Sequence, residues 1–261
     1  MSHKTLQKVA LVTGANGGIG NALTLEFNRR GYKVYATDII FTPQVEAEFK
    51  SKNITCLLMD VTSEEAVSKV STQVAFENDR EHDFLYCNAG RTEIGFTVDL
   101  TDEQIRSLYE INLFGNMRLV RHFVRPLINA KGTIAFSGSV TKDLPLIGNC
   151  LYASSKAALD EFSFVLHSEL RNYGVKVIDV IGGYINTPIF NSGITEIKQG
   201  SVYDFPEFKA LQNKRREKLK AVARTAMPPE VFACRVLNKI EKSDISTFRI
   251  YEGTKSGTID F

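Results

Sequence analysis

A tyrosine and a lysine four residues apart are the side chains whose types and spacing most clearly suggest chemistry. Tyr152 and Lys156 bracket the segment YASSK, and residues four apart lie on the same face of a helix. A lysine ammonium beside the phenol would favour the phenolate and lower the pKa of the tyrosine. Because such a tyrosine can exchange a proton near neutral pH, the pair predicts general acid–base catalysis.

A serine upstream supplies the context that this spacing needs, since a tyrosine and a lysine four apart are also common on solvated helix faces. Ser139 lies 13 residues before Tyr152, just after an apolar strand predicted from Gly132 to Phe136. Open α/β sheets bind their ligands at the carboxyl ends of the strands. We therefore predict that Ser139, Tyr152 and Lys156 belong to one site.

A glycine-rich turn, TGANGGIG at positions 13–20, links a predicted strand to a predicted helix. Its GxxxGxG pattern lets the chain turn sharply and lets a pyrophosphate approach the helix N-terminus, where free N–H groups and the helix dipole favour an anion. A simple tight turn is the alternative, but the position between strand and helix favours a dinucleotide site. The predicted cofactor contacts in this turn are Gly14, Asn16, Gly18, Ile19 and Gly20.

An acidic residue ends each of the next two predicted strands. Asp38 lies 18 residues after Gly20, where a carboxylate can accept hydrogen bonds from ribose hydroxyls and would repel the 2′-phosphate of NADP(H). The glycine turn and Ile39 carry no positive charge, so Asp38 predicts a preference for NAD(H), with NADP(H) possible; a solvated strand-end aspartate is the alternative. Asp60, followed by Val61, is a candidate for the adenine side of the site, or a turn or capping residue.

An asparagine interrupts the apolar face of the amphipathic helix that begins at Thr101. Asn112 shares that face with apolar residues at helical spacing, namely Ile105, Leu108, Leu113 and Val120. A buried amide needs hydrogen-bond partners. From periodicity alone, a structural hydrogen-bond network is favoured over a place in the site.

Short apolar runs alternate with amphipathic stretches and predict the elements that position these residues. The strands are predicted at Lys8 to Thr13, Lys33 to Thr37, Thr55 to Met59, Phe84 to Cys87, Gly132 to Phe136, Val175 to Ile181 and Thr247 to Tyr251. The helical signals are Ile19 to Arg30, capping boxes at Thr62 to Glu65 and Thr101 to Gln104, Leu151 to Asn172, and Lys209 to Arg224. This alternation predicts one Rossmann-type, doubly wound α/β domain, residues 1–261, with a parallel sheet of about seven strands.

The alternation lapses after Ile185, and the region 184–225 is predicted to form a substrate loop or lid. Its aromatic side chains suggest a largely apolar substrate, with ordinary loop packing as the alternative; they are Phe190, Tyr203, Phe205 and Phe208. The basic helix in this region could meet a substrate phosphate or an anionic membrane surface. A solvated face is favoured because Glu207 and Glu217 interrupt the cations, which are Lys214, Arg215, Arg216, Lys218 and Lys220.

Composition excludes several classes of protein. A hydrophobic fraction of 43% and a charged fraction of 24% are typical of a globular chain, and a net charge of +2 gives no reason to expect nucleic-acid binding. The apolar runs are shorter than the roughly 20 residues of a membrane-spanning helix. Four isolated cysteines indicate neither a metal site nor a disulfide framework. Without a signal peptide, a cytoplasmic location is expected.

These motifs together resemble the short-chain dehydrogenase/reductase family over residues 8 to 252. The resemblance rests on TGANGGIG, on CNAG at 87–90, and on Asn112, Ser139, Tyr152 and Lys156 in order. It implies an enzyme that transfers hydride between a nicotinamide cofactor and a small carbonyl or alcohol substrate. It also implies a homodimer or homotetramer.

The resemblance also implies roles for individual residues. Tyr152 would protonate a carbonyl oxygen or deprotonate an alcohol, with Lys156 lowering its pKa and binding the nicotinamide ribose. Ser139 would hydrogen-bond the substrate oxygen, and Asn112 would hold a water molecule in a proton relay. The implied groove and nicotinamide contacts are Asn88, Ala89, Gly90, Gly183, Ile185 and Thr187. Gly182-Gly183 departs from the usual Pro-Gly of the family, so a more flexible nicotinamide wall is expected.

Within the family, the second half resembles the yeast-type 1-acyldihydroxyacetone-phosphate reductases. The shared segments are KGTIAFSGS, SVYDFPEF, MPPEVFA and RIYEGT. Those enzymes use NADPH, whereas Asp38 indicates NAD(H), and they continue into a hydrophobic tail that is not part of this sequence. Three functions stay open: an NAD(H)-dependent carbonyl reductase or alcohol dehydrogenase, an NADPH-dependent reductase of an acylated ketone phosphate, and a non-catalytic dinucleotide-binding regulatory protein.

Overall fold

Strands and helices alternate along the chain from Val9 to Glu252. The computed structural model describes residues 7–79, 81–187, 197–254 and 256, without the side chains of Lys218 and Leu219. The strands are β1 (Val9–Thr13), β2 (Lys33–Asp38), β3 (Thr55–Leu58), β4 (Phe84–Cys87), β5 (Thr133–Ser139), β6 (Lys176–Gly182) and β7 (Arg249–Glu252). The helices are α1 (Gly18–Arg29), α2 (Pro43–Ser51), α3 (Glu64–Glu77), α4 (Asp102–Tyr109), α5 (Gly115–Ala130), α6 (Cys150–Arg171), α7 (Pro206–Ala223) and α8 (Pro229–Lys242).

The strands in these described ranges form one seven-stranded parallel sheet in the order β3-β2-β1-β4-β5-β6-β7. The order reverses between β1 and β4, because β2 and β3 lie on one side of β1 and the later strands lie on the other. At such a switch point the connections leave in opposite directions and open a crevice at the carboxyl ends of the strands. The predicted doubly wound, Rossmann-type sheet is confirmed, and its crevice lies beside the glycine-rich turn.

Apolar side chains cover both faces of the sheet, which is why its strands are nearly continuous hydrophobic runs. On one face, Val67, Phe123 and Leu159 of α3, α5 and α6 pack against the sheet. On the other, Phe27 of α1 and Val236 of α8 do so. The two layers hold the carboxyl ends of β1, β4 and β5 in a fixed register.

Two local predictions need correction, and one helix was not predicted. Strand β5 runs on to Ser139 instead of ending at Phe136, so Ser139 is a strand residue. The capping box predicted at Thr62 is wrong because Ser63 caps α3 through the N–H of Ala66. Helix α2 was not predicted, although Thr42 followed by a proline is a typical helix start. The capping box at Thr101 is confirmed.

A buried histidine makes the fold sensitive to acid. His82, 1% exposed, lies before β4 and against the Phe123 ring, with the ring centres 5.7 Å apart. Burial lowers its pKa from 6.5 to about 4. The folded chain therefore binds a proton at His82 less readily than the unfolded chain does, and acid favours unfolding.

We predict that the contribution of neutral His82 to the free energy of unfolding is complete above pH 6.5 and is lost progressively as the pH falls towards 4. The difference of about 2.5 pKa units corresponds to about 3 kcal/mol at the acid end. Denaturant unfolding at several pH values, compared between the wild type and His82→Leu, checks this. A wild-type free energy of unfolding that falls no more steeply than that of the variant would contradict it.

None of the helices in the described ranges combines the length and the apolar composition that crossing a bilayer requires.

Candidate active site

A large cavity opens at the carboxyl ends of β1, β2, β4 and β5. Its volume is about 1250 Å³. Twelve of the predicted site residues line it: Gly14, Gly18, Ile19, Asp38, Asp60, Val61, Asn88, Ala89, Gly90, Tyr152, Lys156 and Thr187. Residues from distant parts of the sequence thus meet in one crevice, which has room for a dinucleotide-sized ligand.

The glycine-rich turn is packed so closely that side chains are excluded. A Cβ atom at Gly20 would overlap the carbonyl oxygen of Gly14 and would lie 2.6 Å from Nδ2 of Asn88. Gly14 itself has a φ of +67°, in the region that favours glycine. The turn therefore brings bare backbone to the start of α1, which is the cradle that a pyrophosphate needs.

Asn88 fastens this turn to the neighbouring strands. Its Nδ2 donates to the carbonyl oxygens of Thr13 (2.9 Å) and Gly14 (3.2 Å). Its Oδ1 accepts a 3.1 Å hydrogen bond from the hydroxyl of Ser137. In addition, the backbone N–H groups of Asn88 and Ala89 both donate to the Thr13 hydroxyl at 2.9 Å. Asn88 thus lines the groove and also fixes the position of the glycines.

Asp38 lies at the end of β2 and faces the same turn. Its Oδ2 accepts a 2.9 Å hydrogen bond from the N–H of Asn16, and its Oδ1 accepts one of 2.8 Å from Ile39. Each oxygen keeps a lone pair for another donor. Asn16 does not line the cavity. Its Oδ1 accepts a hydrogen bond from the N–H of Thr42, so Asn16 stabilises the glycine-rich turn.

Asp60 and Val61 border the cavity beyond β3. Asp60 Oδ1 accepts hydrogen bonds of 2.8 Å from both the N–H and the hydroxyl of Thr62, so this residue stabilises a turn as well as lining the groove. The carbonyl oxygen of Val61 accepts from Arg118 at 2.6 Å. Both residues are thereby held in place on the side of the cavity next to Asp38.

Tyr152, Ser139 and Lys156 come together where β5 meets α6. Lys156 is 5% exposed, donates a 2.8 Å hydrogen bond to the carbonyl oxygen of Ser137, and lies 5.7 Å from the centre of the Tyr152 ring. Ser139 is held by Thr141, whose N–H and hydroxyl both donate to its Oγ. The geometry joins a phenol, a hydroxyl and an ammonium group.

The prediction that Lys156 lowers the pKa of Tyr152 is wrong for the chain on its own. Burial raises the pKa of Tyr152 above its ordinary value, and a hydrogen bond from Ser139 lowers it only in part. Lys156 does not compensate, because its ammonium group is directed at the Ser137 carbonyl. Tyr152 is therefore a protonated phenol near neutral pH, the form that donates a proton.

The lysine remains charged near neutral pH. Burial lowers the pKa of Lys156 to about 8, while Asp179 on β6 opposes that shift. Asp179 is buried, and its own pKa is raised well above the usual range by burial and by Asp160. Asp160 keeps its charge because Arg249 donates two hydrogen bonds of 2.8 Å to it.

Asn112 lies in a π-helical turn, Glu110–Phe114, between α4 and α5. It is fully buried, and its Nδ2 donates to the carbonyl oxygen of Arg91 and to the hydroxyl of Ser155, both at 3.0 Å. Its Oδ1 accepts from the N–H of Arg91, also at 3.0 Å. These bonds form the structural network that periodicity favoured, and they fix the Gly90-Arg91 segment; one lone pair of Oδ1 is left for a water molecule.

A second, smaller cavity of about 170 Å³ adjoins the first. The two share Ile19, Ser137, Gly138, Tyr152 and Thr187 as lining residues. The predicted residues Ser139, Gly183 and Ile185 line only the smaller one, and apolar side chains such as Leu146 and Phe232 complete its wall. Tyr152 therefore stands at the junction of a large cavity and a small one.

The expected flexible wall at Gly182-Gly183 is not what the structure contains. The N–H of Gly183 donates to the carbonyl oxygen of Glu252 at 2.8 Å, and a Cβ atom at Gly183 would overlap the carbonyl oxygen of Thr254. Here glycine allows two backbone segments to touch. The wall is fixed by β7 and the residues that follow it.

The aromatic residues of the predicted substrate loop have a different place. Tyr203 and Phe208 stack on each other and pack against Phe96, with ring centres 4.7 to 5.2 Å apart. Phe205 joins them at 5.7 Å from Phe208. These three residues do not line either cavity, so the loop-packing alternative holds for them. Phe190 lies outside the described residues.

Two residues that were not among the predicted site residues also line the cavities. Ser137, which lines both cavities, carries no signal beyond its place near the end of β5. Arg215 belongs to the basic helix for which the sequence favours a solvated face over contact with a substrate phosphate, but it lines the small cavity. Helical spacing alone does not tell which of the five cations of this helix points towards the cavity. Within the described ranges, no group of three His, Cys, Asp or Glu side chains is placed to hold a metal ion.

Comparisons with known proteins agree with this geometry. The family model for short chain dehydrogenase matches residues 8–197. An NADPH-dependent 1-acyldihydroxyacetone phosphate reductase from Saccharomyces cerevisiae is 32% identical over 98% of this chain and 85% of the yeast protein. A short-chain dehydrogenase from Hypocrea virens is 37% identical over 76% of this chain and 69% of that protein.

Two solved structures share the fold. A short-chain dehydrogenase from Streptomyces avermitilis superposes with a TM-score of 0.80 at 24% identity, over 98% of this chain and 90% of its own. An alcohol dehydrogenase from Thermococcus sibiricus, complexed with 5-hydroxy-NADP, superposes with a TM-score of 0.75 at 18% identity, over 98% of this chain and all of its own.

Proposed function

The chain belongs to the short-chain dehydrogenases, and from this premise we propose that it interconverts a ketone and a secondary alcohol with Tyr152 as the proton donor and acceptor. The observation that carries the proposal is the place of Tyr152, at the junction of the two cavities and beside Ser139. The large cavity would take a nicotinamide dinucleotide, and the small one would take the carbonyl end of the substrate.

The residues of the large cavity fit such a cofactor. The turn at Gly14 and Gly20 offers backbone without side chains at the start of α1, suited to the pyrophosphate. Asp38 suits the adenosine ribose, and Lys156 suits the other ribose. When bound, the cofactor supplies or accepts the hydride at its nicotinamide ring. The further predicted contacts, Asp60, Val61, Ala89, Gly90, Gly183, Ile185 and Thr187, belong to the same proposal.

The protein's own share of the reaction is to orient the substrate and move a proton. In reduction, Ser139 and Tyr152 would hydrogen-bond the carbonyl oxygen, and the phenol would give its proton to that oxygen. The raised pKa of Tyr152 keeps the phenol protonated for this step. Oxidation needs the phenolate first, so its rate is expected to rise with pH.

We propose a preference for NAD(H), which rests on the Asp38 carboxylate. The yeast relative is named as NADPH-dependent. Asp38 is therefore the residue that distinguishes a preference for NAD(H) from a preference for NADP(H). The uncharged Ile39 and Ile40 follow Asp38 and are 68% and 61% exposed, so they offer no cation to a 2′-phosphate.

Asp38→Asn tests the cofactor preference. The variant keeps an acceptor for the N–H of Asn16 but loses the charge, and hydrogen bonds to charged groups contribute about 1.5–3 kcal/mol. We expect kcat/KM to fall about 10- to 100-fold with NADH and to rise with NADPH. A wild type that prefers NADPH, together with an unchanged ratio of the two cofactors in Asp38→Asn, would refute the preference.

A second candidate is NADPH-linked reduction of an acylated ketone phosphate. It is favoured by the yeast relative, whose similarity extends over 98% of this chain. Initial rates of NADH and NADPH oxidation with 1-acyldihydroxyacetone phosphate and with a neutral ketone of similar length separate the two candidates. A rate confined to NADPH and the phosphate ester selects this one.

Assembly into a homodimer or homotetramer belongs to the same proposal. Phe164 and Val165 on α6 are 46% and 49% exposed, and a second copy of the chain would cover them.

A further inference from the structure

An arginine on α7 forms part of the wall of the small cavity. Arg215 lines this cavity together with Ser139 and Tyr152. Its Nη1 lies 3.4 Å from the position that a Cβ atom would occupy at Gly148. Gly148 has a φ of +72° and lies two residues before α6, the helix that carries Tyr152. The guanidinium therefore lies in contact with the chain just before α6.

The Arg215 side chain is half-buried and lacks a described counterion. Its Nε is buried without a hydrogen-bond partner, and burial lowers the pKa of the side chain. The described residues that line the cavity include no aspartate or glutamate, and no described carboxylate forms an ion pair with Arg215. Partly burying a cation without a counterion is unfavourable, so the position suits a site that an anion completes.

Other polar groups at the small cavity also favour an anion. Asn149, which precedes α6, lines the cavity, and the first turn of α6 contains no acidic residue. A helix N-terminus carries a partial positive charge that adds to the field of a nearby cation. Thr92 also lines the cavity, and its hydroxyl can donate to an oxyanion.

From this arrangement we propose that Arg215 determines substrate specificity by binding an oxyanion, a phosphate monoester or a carboxylate, carried by the ketone substrate. The inference rests on the proposed function and adds the substrate class to it. The fork of the guanidinium can donate two hydrogen bonds to either group. Its anchoring would direct the neighbouring carbonyl to Ser139 and Tyr152, while apolar side chains such as Leu146 and Phe232 accommodate the rest of the substrate.

Three ketones of equal acyl length test the proposal: 1-acyldihydroxyacetone phosphate, the same ketone without phosphate, and an analogue with a carboxylate in its place. We expect the wild type to favour at least one anionic ketone over the neutral one. Arg215→Met should raise KM for that anionic ketone about 10- to 100-fold and should change KM for the neutral ketone much less. Arg215→Lys should recover part of the loss.

Lys214→Met is the matched control, because Lys214 is the preceding cation on α7 and is exposed. It should change none of the rates. The anionic ketone that loses most in Arg215→Met identifies the group, phosphate or carboxylate. Equal use of anionic and neutral ketones by the wild type, or an equal loss on all three in Arg215→Met, would overturn the proposal and leave the proposed function standing.

A binding measurement separates this inference from the reaction. With the large cavity saturated by NAD⁺, sn-glycerol 3-phosphate should raise the Tm of the wild type and of Lys214→Met, but not that of Arg215→Met. If no ketone is reduced and this shift is nevertheless lost in Arg215→Met, the proposed reaction is wrong and the anion site stands. If no ketone is reduced and the three proteins shift equally or not at all, both are wrong.

Discussion

Tyr152→Phe is expected to lower kcat by at least about 10²- to 10⁴-fold, the contribution of a positioned general acid or base. The phenylalanine ring keeps the shape of the side chain between the two cavities but has no proton to give or take. Because Tyr152 is a protonated phenol near neutral pH, the loss should be seen directly in the reduction of a ketone. Steady-state oxidation of NADH, followed by its absorbance, measures it.

The same variant should bind NADH nearly as well as the wild type, because the glycine turn and Asp38 are unchanged. Titration followed by NADH fluorescence gives that affinity. Tyr173→Phe is a suitable control, since Tyr173 is 57% exposed and lies outside both cavities. Turnover of Tyr152→Phe within a few-fold of the wild type would exclude the proposed proton transfer.

Gly20→Ala is the second large effect that we predict. The added Cβ would overlap the Gly14 carbonyl oxygen and crowd the Asn88 amide, and neither can move without displacing the end of β1 or β4. We expect loss of measurable NADH binding and a fall of about 1–3 kcal/mol in the free energy of unfolding, as for other overpacked sites. Denaturant unfolding and NADH titration measure the two effects.

Gly17→Ala provides the comparison within the same turn. A Cβ atom at Gly17 would meet nothing within 4 Å, and its φ of −166° is open to any residue. This variant should therefore keep wild-type stability. If Gly20→Ala were as stable as Gly17→Ala and still bound NADH, the turn would not be the close-packed cradle described above.

The sequence predicts much of this molecule because its signals are local and repeated. Apolar runs such as Phe84 to Cys87 alternate with helices, and a parallel sheet follows from that alternation and from the handedness of the connections. One edge of the sheet holds the glycine-rich turn, the aspartate that ends β2, and the pair Tyr152 and Lys156. Their meeting follows from topology without knowledge of any contact.

Other features depend on distances that no sequence pattern encodes. The pKa of Tyr152 depends on burial and on where the Lys156 ammonium is directed, and here it is directed at the Ser137 carbonyl. Helical spacing places the two residues on one face but does not give the third partner. The hydrogen bonds between Asn112 and Arg91 join segments 21 residues apart, so periodicity suggests that partners exist without identifying them.

The long region after β6 shows the same limit. Its aromatic residues suggested an apolar substrate, yet Tyr203 and Phe208 pack against Phe96. Its cations suggested a solvated face, yet Arg215 lines the small cavity. Tertiary packing decides which side chain of a loop or of a weakly amphipathic helix turns inward. Composition shows only which side chains are available to do so.

The most direct test of the central claim is the fate of a label carried by the cofactor. NADH and NADPH, each deuterated at the transferable C4 position of the nicotinamide, are incubated separately with the enzyme and the ketones named above, and the alcohol product is analysed by mass spectrometry and NMR. We expect deuterium on the carbinol carbon, with NADH as the better donor and with at least about 10²-fold less labelled alcohol from Tyr152→Phe in the same time. Alcohol without deuterium on that carbon, or an equal amount of labelled alcohol from Tyr152→Phe in that time, would contradict the proposed reaction.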